Sequence, residues 1–295
     1  MLLKKLAKKN LISPPKFLIS NTIFLTQMGS VAYGVAGETS DWDCYGVCVP
    51  HKTDIFPHLK GEIPGFGRQK KRFDTWQQHH IKDETTGREY DFQIYSIIKY
   101  FHLMMENNPN IIDSLFVPRR CILHTTPISE LIRENRHIFL HKGCYHKLKG
   151  YAYSQMHKME TKDPKGKRKE IRDKYGADVK FMYHVYRLIS ECEQILTEGT
   201  LVLDEVGRRE TMKAIRRGEW SLERIKEHFE QKEKDLEQLY AKSELPYSPD
   251  ETKIKDLLIE CLRMHFGNLE GAVVIEDKAM NALRKIKEAI EEAGL

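Results

Sequence analysis

Short apolar runs in the first half of the chain predict β-strands. They are rich in β-branched and aromatic residues and are bounded by Gly, Pro, Asn or Asp, as strands separated by turns are. The predicted strands cover residues 17–26, 42–49, 73–82, 88–94 and 120–124, with a hairpin turn at 84–87. Apolar residues at helical recurrences predict helices at 2–9, 95–106 and 128–139.

From about residue 142 onward the strand signals fade and helical periodicity dominates. The predicted helices there cover residues 146–157, 177–196, 211–217, 221–241, 253–266 and 279–293, and Ser221 is the predicted N-cap of the helix at 221–241. The change of pattern predicts an α+β fold in two parts. A domain of mixed sheet and helices would occupy residues 1–140, and an all-helical domain that completes the ligand pocket would occupy residues 141–295.

Two segments without periodicity are predicted to be exposed loops. Residues 51–73 are rich in Pro and Gly and predict a surface insertion beside the strand at 42–49. Residues 158–174 are dense in Lys and Arg. For this basic segment a solvated linker is slightly favoured over contact with polyphosphate or nucleic acid.

Composition indicates a folded protein of the cytoplasm. The 295 residues are 40% hydrophobic, which allows real cores, and the net charge of +5 is mild enough to permit an RNA partner. The apolar runs are too short for a membrane span, and the Lys-rich start lacks the apolar stretch of a signal peptide. Six scattered cysteines suit reduced thiols. A zinc site at Cys44, Cys48 and His51 is disfavoured because these residues follow one strand.

The candidate chemistry begins where the first long strand ends. Gly29 and Ser30 form a predicted turn, at which the backbone can approach a ligand and the following amides can hold phosphate oxygens. Asp41 and Asp43 open the next strand and project from one face, close enough to share a divalent cation such as Mg²⁺. A solvated strand edge or an Asx-turn would give the same acid pair. The preceding Gly-Ser turn favours a nucleotide-transfer site.

A two-metal transfer site needs a third carboxylate, because two adjacent cations carry too much charge for one pair of aspartates. Asp91 is the candidate, since it lies between two aromatic residues in a strand, where an unpaired charge would be costly. Glu89 lies on the same face, so strand alternation does not choose between the two acids. An edge strand with outward-facing acids is the structural alternative.

The order Gly29-Ser30 followed by Asp41-x-Asp43 resembles the signature of the DNA polymerase beta superfamily of nucleotidyltransferases. A longer match, which adds Tyr33-Gly34, Ser40, Gly46-Val47 and Pro50, is similar to a narrower group of predicted nucleotidyltransferases. That group includes bacterial YcgL-like proteins, phage proteins and RNA-ligase-associated proteins. The resemblance implies Asp91 as the third acid. It also extends to an Asn-Pro turn followed by Asp113, for which a local turn bond is expected.

A basic stripe on the helix predicted at 177–196 is a candidate for triphosphate binding. Lys180, His184 and Arg187 are spaced i, i+4 and i+7 and therefore share one face. Three potential cations repel unless an anion lies near, and an incoming triphosphate would supply one. An ordinary solvated face, with Glu191 offsetting Arg187, explains the spacing equally well. The resemblance to the family favours nucleotide binding.

The resemblance implies transfer of a nucleoside monophosphate from an NTP to a hydroxyl group, with release of pyrophosphate and Mg²⁺ or Mn²⁺ as cofactor. Asp41 and Asp43 would bind both cations, and Asp91 would bind the catalytic one. Relatives with an RNA-ligase partner suggest an RNA end as acceptor, as in tRNA repair. Nucleotidylation of a small molecule or a protein is the alternative reaction. A protein that binds nucleotide or RNA without catalysis is the alternative class, and the three crowded acids disfavour it.

Overall fold

The computed structural model describes residues 1–37, 40–63, 65–69, 71–161 and 167–267, together with residues 286 and 290. Residues 38 and 39, between the Gly-Ser turn and the acid pair, lie outside the described residues. So does almost all of the helix predicted at 279–293.

Within the described residues, one mixed sheet of five strands has the order β3-β4-β2-β1-β5. The strands are β1 (Thr22–Gln27), β2 (Trp42–Cys48), β3 (Thr75–Asp83), β4 (Arg88–Ser96) and β5 (Ile122–His124). β2 and β4 run parallel, and the other neighbouring strands run antiparallel. The parallel pair lies in the middle of the sheet and is flanked by β1 on one side and β3 on the other.

Helices make up most of the rest of the chain, and the predicted α+β class is confirmed. They are α1 (Leu2–Lys8), α2 (Leu18–Asn21), α3 (Gly29–Ala32), α4 (Lys52–Ile55), α5 (Ile97–Met105), α6 (Pro109–Phe116), α7 (Pro127–Glu134), α8 (Cys144–Thr161), α9 (Lys167–Tyr175), α10 (Val179–Glu198), α11 (Val206–Arg216), α12 (Leu222–Lys242) and α13 (Glu251–Phe266). Short 3-10 turns lie at Pro57–Lys60, Arg119–Cys121 and Arg136–Phe139. None of the described helices is long and apolar enough to cross a membrane.

Each face of the sheet carries its own hydrophobic core. Cys44 of β2 and Phe92 of β4 point to one face, where Leu3 and Leu6 of α1 cover them. Val47 and Tyr95 point to the opposite face, in the larger core that is shared with helices α5, α6, α8 and α10. Because side chains alternate along a strand, Asp43 and Asp91 point to this second face as well.

Local capping explains several helix starts. The Ser96 hydroxyl accepts a hydrogen bond from the Lys99 backbone amide at the start of α5. Asn108 caps α6 in the same way, and Pro109 occupies its first turn, where no amide donor is needed. Ser221 accepts from the Arg224 amide, which confirms the predicted cap of α12.

The structure differs from the predictions in three segments. Residues 17–26 begin with the single-turn helix α2 and only then enter β1. Residues 51–73, predicted to be a loop, contain the short helix α4 and the 3-10 turn at Pro57–Lys60. The predicted loop at 158–174 contains the last turn of α8 and all of α9 except its final residue, because the Lys, Arg and Glu residues after 166 are good helix formers.

Candidate active site

The turn after β1 lies directly against the first acid strand. Gly29 has a φ of +62°, a left-handed conformation that glycine adopts without strain. The Met28 amide donates to the backbone carbonyl of Asp43 at 2.7 Å. An ideal Cβ on Gly29 would overlap Oδ2 of Asp43. A side chain at position 29 is therefore excluded by both the backbone conformation and the neighbouring carboxylate.

Asp43 and Asp91 are partners in the parallel register of β2 and β4, so their carboxylates project side by side from one face of the sheet. Burial raises the pKa of Asp43, and the Asp91 carboxylate raises it further. Asp41, one residue before β2, also raises the pKa of Asp43, whereas Lys180 and His79 lower it. Two further acids thus act on Asp43, one just before β2 and one from the neighbouring strand β4.

A β-bulge in β3 borders this acid cluster on its outer side. The register of β3 against β4 shifts between Gln78 and Ile81, and His80 within the bulge has a φ of +57°. Its backbone amide donates to Oδ1 of Asp91 at 2.7 Å. Nδ1 of His79 lies 3.6 Å from the same oxygen. The contacts of these two histidines could not be predicted from the sequence, because a bulge interrupts the alternation of side chains along a strand.

Glu89 has a different environment from Asp91. Its Oε1 lies 2.9 Å from Nδ1 of His80. In the register of the strands, Glu89 pairs with Lys82, whereas Asp91 pairs with Asp43. The register therefore puts Asp91, rather than Glu89, beside the acid of β2.

Helix α10 extends over the same face of the sheet. Lys180, in its first turn, is exposed and close enough to Asp43 to lower the pKa of that acid. His184 is half-buried and stacks on the Tyr183 ring with 4.3 Å between the ring centroids. Lys180 therefore lies on the side of α10 nearer the acid cluster, and His184 follows it at i+4 on the same helical face.

Arg187 differs from the prediction of a phosphate-facing cation. It is buried, with 4% of its side chain exposed, and its Nη1 donates to Oδ2 of Asp113 on α6 and to the Tyr33 hydroxyl that follows α3. Nη1 also lies 3.4 Å from Oε1 of Glu191. The anion that we expected a triphosphate to supply to Arg187 is instead a carboxylate of the protein itself.

The Asp113 carboxylate likewise makes a long-range contact instead of the expected local turn bond. It accepts a hydrogen bond from the Tyr33 hydroxyl at 2.6 Å. The Arg187 guanidinium carbon lies 4.5 Å from the centroid of the Tyr33 ring, a cation–π distance. Burial raises the pKa values of both Asp113 and Glu191, the latter to about 8. This buried cluster of Tyr33, Asp113, Arg187 and Glu191 ties α3, α6 and α10 together.

A divalent cation fits the donor chemistry of the acid cluster. Asp41, Asp43 and Asp91 offer hard carboxylate oxygens, and burial together with the neighbouring acids raises the pKa of Asp43. Over the described part of the chain, no three His, Cys, Asp or Glu side chains converge closely enough to hold an ion as they stand. All six cysteines are buried and free, as expected for reduced thiols.

Comparison with known proteins gives one family. The model of the RNA repair pathway DNA polymerase beta family (RlaP) matches residues 3–260. No curated protein sequence matches the chain. Among solved structures, a nucleotidyltransferase-like protein from Exiguobacterium sibiricum 255-15 is similar over 81% of this chain and 73% of that chain, at 9% identity and a TM-score of 0.29. Values this low establish no residue-by-residue correspondence.

Proposed function

The chain belongs to the RNA repair pathway DNA polymerase beta family, and from this membership we propose that it transfers a nucleoside monophosphate from an NTP to a hydroxyl group at an RNA end. It is thus a nucleotidyltransferase of the polymerase-beta type. Within RNA repair, a tRNA end is the proposed acceptor. The observation that carries the proposal is the convergence of the Gly29 turn, Asp43 and Asp91 on one face of the sheet.

Asp41, Asp43 and Asp91 are the proposed ligands of Mg²⁺ or Mn²⁺. When bound, such a cation neutralises phosphate charge and favours the ionised form of the acceptor hydroxyl. The pairing of Asp43 with Asp91 in the register of β2 and β4 supports this assignment, because a structural role would not require two carboxylates side by side. The hydrogen bond from the His80 backbone amide to the Asp91 carboxylate fixes the orientation of this third acid.

The triphosphate is proposed to bind at Gly29 and Ser30, on the side of the acids away from β3. Because Gly29 has no side chain, its backbone lies directly against the Asp43 carboxylate, so a phosphate held by the turn would be close to this acid. Lys180 and His184 of α10 are the proposed side-chain contacts from the helical part. For Arg187 the structure supports an indirect role, since its donors already serve Asp113 and Tyr33.

The proposed reaction is an in-line displacement at the α-phosphorus. The acceptor oxygen forms a bond to this phosphorus as the bond to the bridging oxygen of the leaving pyrophosphate breaks. The hydroxyl proton passes to Asp91 or to solvent. Positioning and charge neutralisation supply most of the rate in transfers of this kind, which suits a site built of a turn, three acids and a lysine.

The division into residues 1–140 and 141–295 is part of the proposal. The first part carries the acids and the Gly-Ser turn, and the second carries α10. The effect of Lys180 on the pKa of Asp43 supports a pocket to which both parts contribute.

The test is incubation of the protein with each α-labelled NTP, Mg²⁺ or Mn²⁺, and RNA with either free or blocked 3′-hydroxyl ends. Label transfer to free ends alone is expected, with loss of transfer in Asp43→Asn and Asp91→Asn. Glu89→Gln is the matched control on β4 and should retain transfer. Label on the protein or on a small molecule would identify another acceptor, and NTP binding without any transfer would indicate a non-catalytic protein.

A further inference from the structure

Helix α11 carries a second row of basic side chains, in addition to the row on α10. Arg209, Lys213 and Arg216 have the same i, i+4, i+7 spacing as the stripe on α10 and share one face of the helix. This face packs on the chain that follows α3. A Cβ on Gly34 would lie 2.7 Å from Cδ of Arg209. Nη1 of Arg216 donates to the backbone carbonyl of Val35 at 2.5 Å.

Arg216 is connected to the Gly-Ser turn by two consecutive hydrogen bonds. Val35, whose carbonyl accepts from Arg216, donates its own amide to the carbonyl of Ser30 at 2.8 Å. Val35 alone therefore connects the guanidinium to the turn at which the triphosphate is proposed to bind. Its position relative to Ser30 is fixed by backbone contacts and not by a flexible side-chain partner.

The other side of Arg216 faces α10. Its guanidinium carbon lies 5.5 Å from the centroid of the Tyr183 ring. Tyr183 is buried one turn after Lys180, and Asp43 and Arg216 both act on its hydroxyl. Arg216 is thus placed between the turn of α3 and the part of α10 that reaches the acid cluster.

The charge of Arg216 has no counter-ion in the part of the chain that the structure describes. Among the described residues, no carboxylate lies within ion-pair distance of its guanidinium, although it is half-buried. The neighbouring cations differ in this respect. Arg209 and Lys213 share Glu210, and Arg217 pairs with Glu219.

We propose that Arg216 binds the terminal phosphates of the incoming NTP. A half-buried guanidinium without a counter-ion, anchored beside a phosphate-binding turn, is a ready partner for an anion of high charge. This inference rests on the proposed function and deepens it. It assigns the arginine contact of the triphosphate to α11 in place of the occupied Arg187 on α10.

The test is calorimetric titration of the full chain with a non-hydrolysable NTP analogue and with the corresponding NMP, at fixed Mg²⁺. Arg216→Ala should raise the Kd of the analogue on the order of ten- to a hundredfold, the cost of a charge-assisted contact, and leave the Kd of the NMP within about threefold. Arg217→Ala is the matched control, since it removes the adjacent, exposed and ion-paired arginine. It should bind both ligands as the wild type does.

Arg216→Gln removes the charge but keeps a polar side chain with an amide donor. The proposal expects Arg216→Gln to bind the analogue as weakly as Arg216→Ala, and Arg216→Lys to recover part of the affinity. Wild-type affinity in either Arg216→Ala or Arg216→Gln would overturn it, as would equal weakening of analogue and NMP. Absence of analogue binding by the wild type would instead overturn the proposed function, and this assignment with it.

Discussion

Gly29 and Asp43 are in such close contact that a Cβ on the glycine would overlap Oδ2 of the acid. Gly29→Ala should therefore reduce nucleotidyl transfer severely and destabilise the fold by about 1–3 kcal/mol, because φ is +62° at this position. Gly37→Ala is the control, since nothing lies within 4 Å of its Cβ position and its φ is not left-handed. Transfer assays and thermal unfolding of the two variants, measured together, check the prediction.

Asp43→Asn and Asp91→Asn should each lower transfer at least about a hundredfold without loss of stability. Each substitution removes one of two adjacent charges, and burial with like-charge repulsion already raises the pKa of Asp43. The melting temperature should stay constant or rise. A clear fall in melting temperature together with residual transfer would show that the pair is structural.

Arg187→Ala and Lys180→Ala should have opposite signatures. Loss of Arg187 leaves the buried Asp113 carboxylate without its cation and should cost about 3–5 kcal/mol of folding free energy. Loss of the exposed Lys180 should leave the melting temperature unchanged but weaken NTP binding roughly tenfold. Urea unfolding and calorimetry of both variants separate the two roles. An equally stable Arg187→Ala variant would contradict the assignment of Arg187 to the buried cluster.

The buried cluster should make stability depend on pH. Burial raises the pKa of Glu191 from 4.5 to about 8, so the folded chain retains this proton where the unfolded chain has lost it. Stability should therefore fall as pH rises from about 4.5 to about 8, by up to about 1.4 kcal/mol per pH unit, and then level off. Glu191→Gln should show a smaller slope in urea unfolding, and the remainder should come from Asp113, whose pKa burial also raises. Glu198→Gln, on the exposed side of α10, should keep it.

The bulge of β3 should tolerate glycine but not a β-branched residue. His80 has a φ of +57°, and its backbone amide holds Asp91. His80→Gly should retain most of the transfer activity. His80→Val should lose activity and stability together, since β-branched residues avoid this conformation. Equal activity in the two variants would show that the bulge does not orient Asp91.

Elements with a local cause could be predicted from the sequence. The β3–β4 hairpin follows from two alternating runs around a tight turn, and α10 from a long amphipathic pattern. Ser221 was identifiable as a cap because capping depends on residues three positions apart. The Gly-Ser turn and the strand beside the acid pair also depend on neighbouring residues, and the structure has both at the predicted positions.

The partners of charged side chains could not be predicted, because they come from distant parts of the chain. Periodicity indicates that Lys180, His184 and Arg187 share a face, but not that Asp113 on α6 neutralises the last of them. The same spacing on α11 leaves Arg216 without a counter-ion among the described residues. Two identical patterns thus have different roles, which only the tertiary contacts decide.

The parallel pairing of β2 and β4 has a consequence for how the protein assembles. β3 and β4 can associate early as a hairpin, because few residues separate them. Asp43 and Asp91 meet only when that hairpin docks on β2 across the intervening insertion. The acid pair is therefore a product of the slow, long-range step of sheet formation. A partly synthesised or misdocked chain lacks the proposed metal-binding pair, so we expect it to be inactive on nucleotides until its folding is complete.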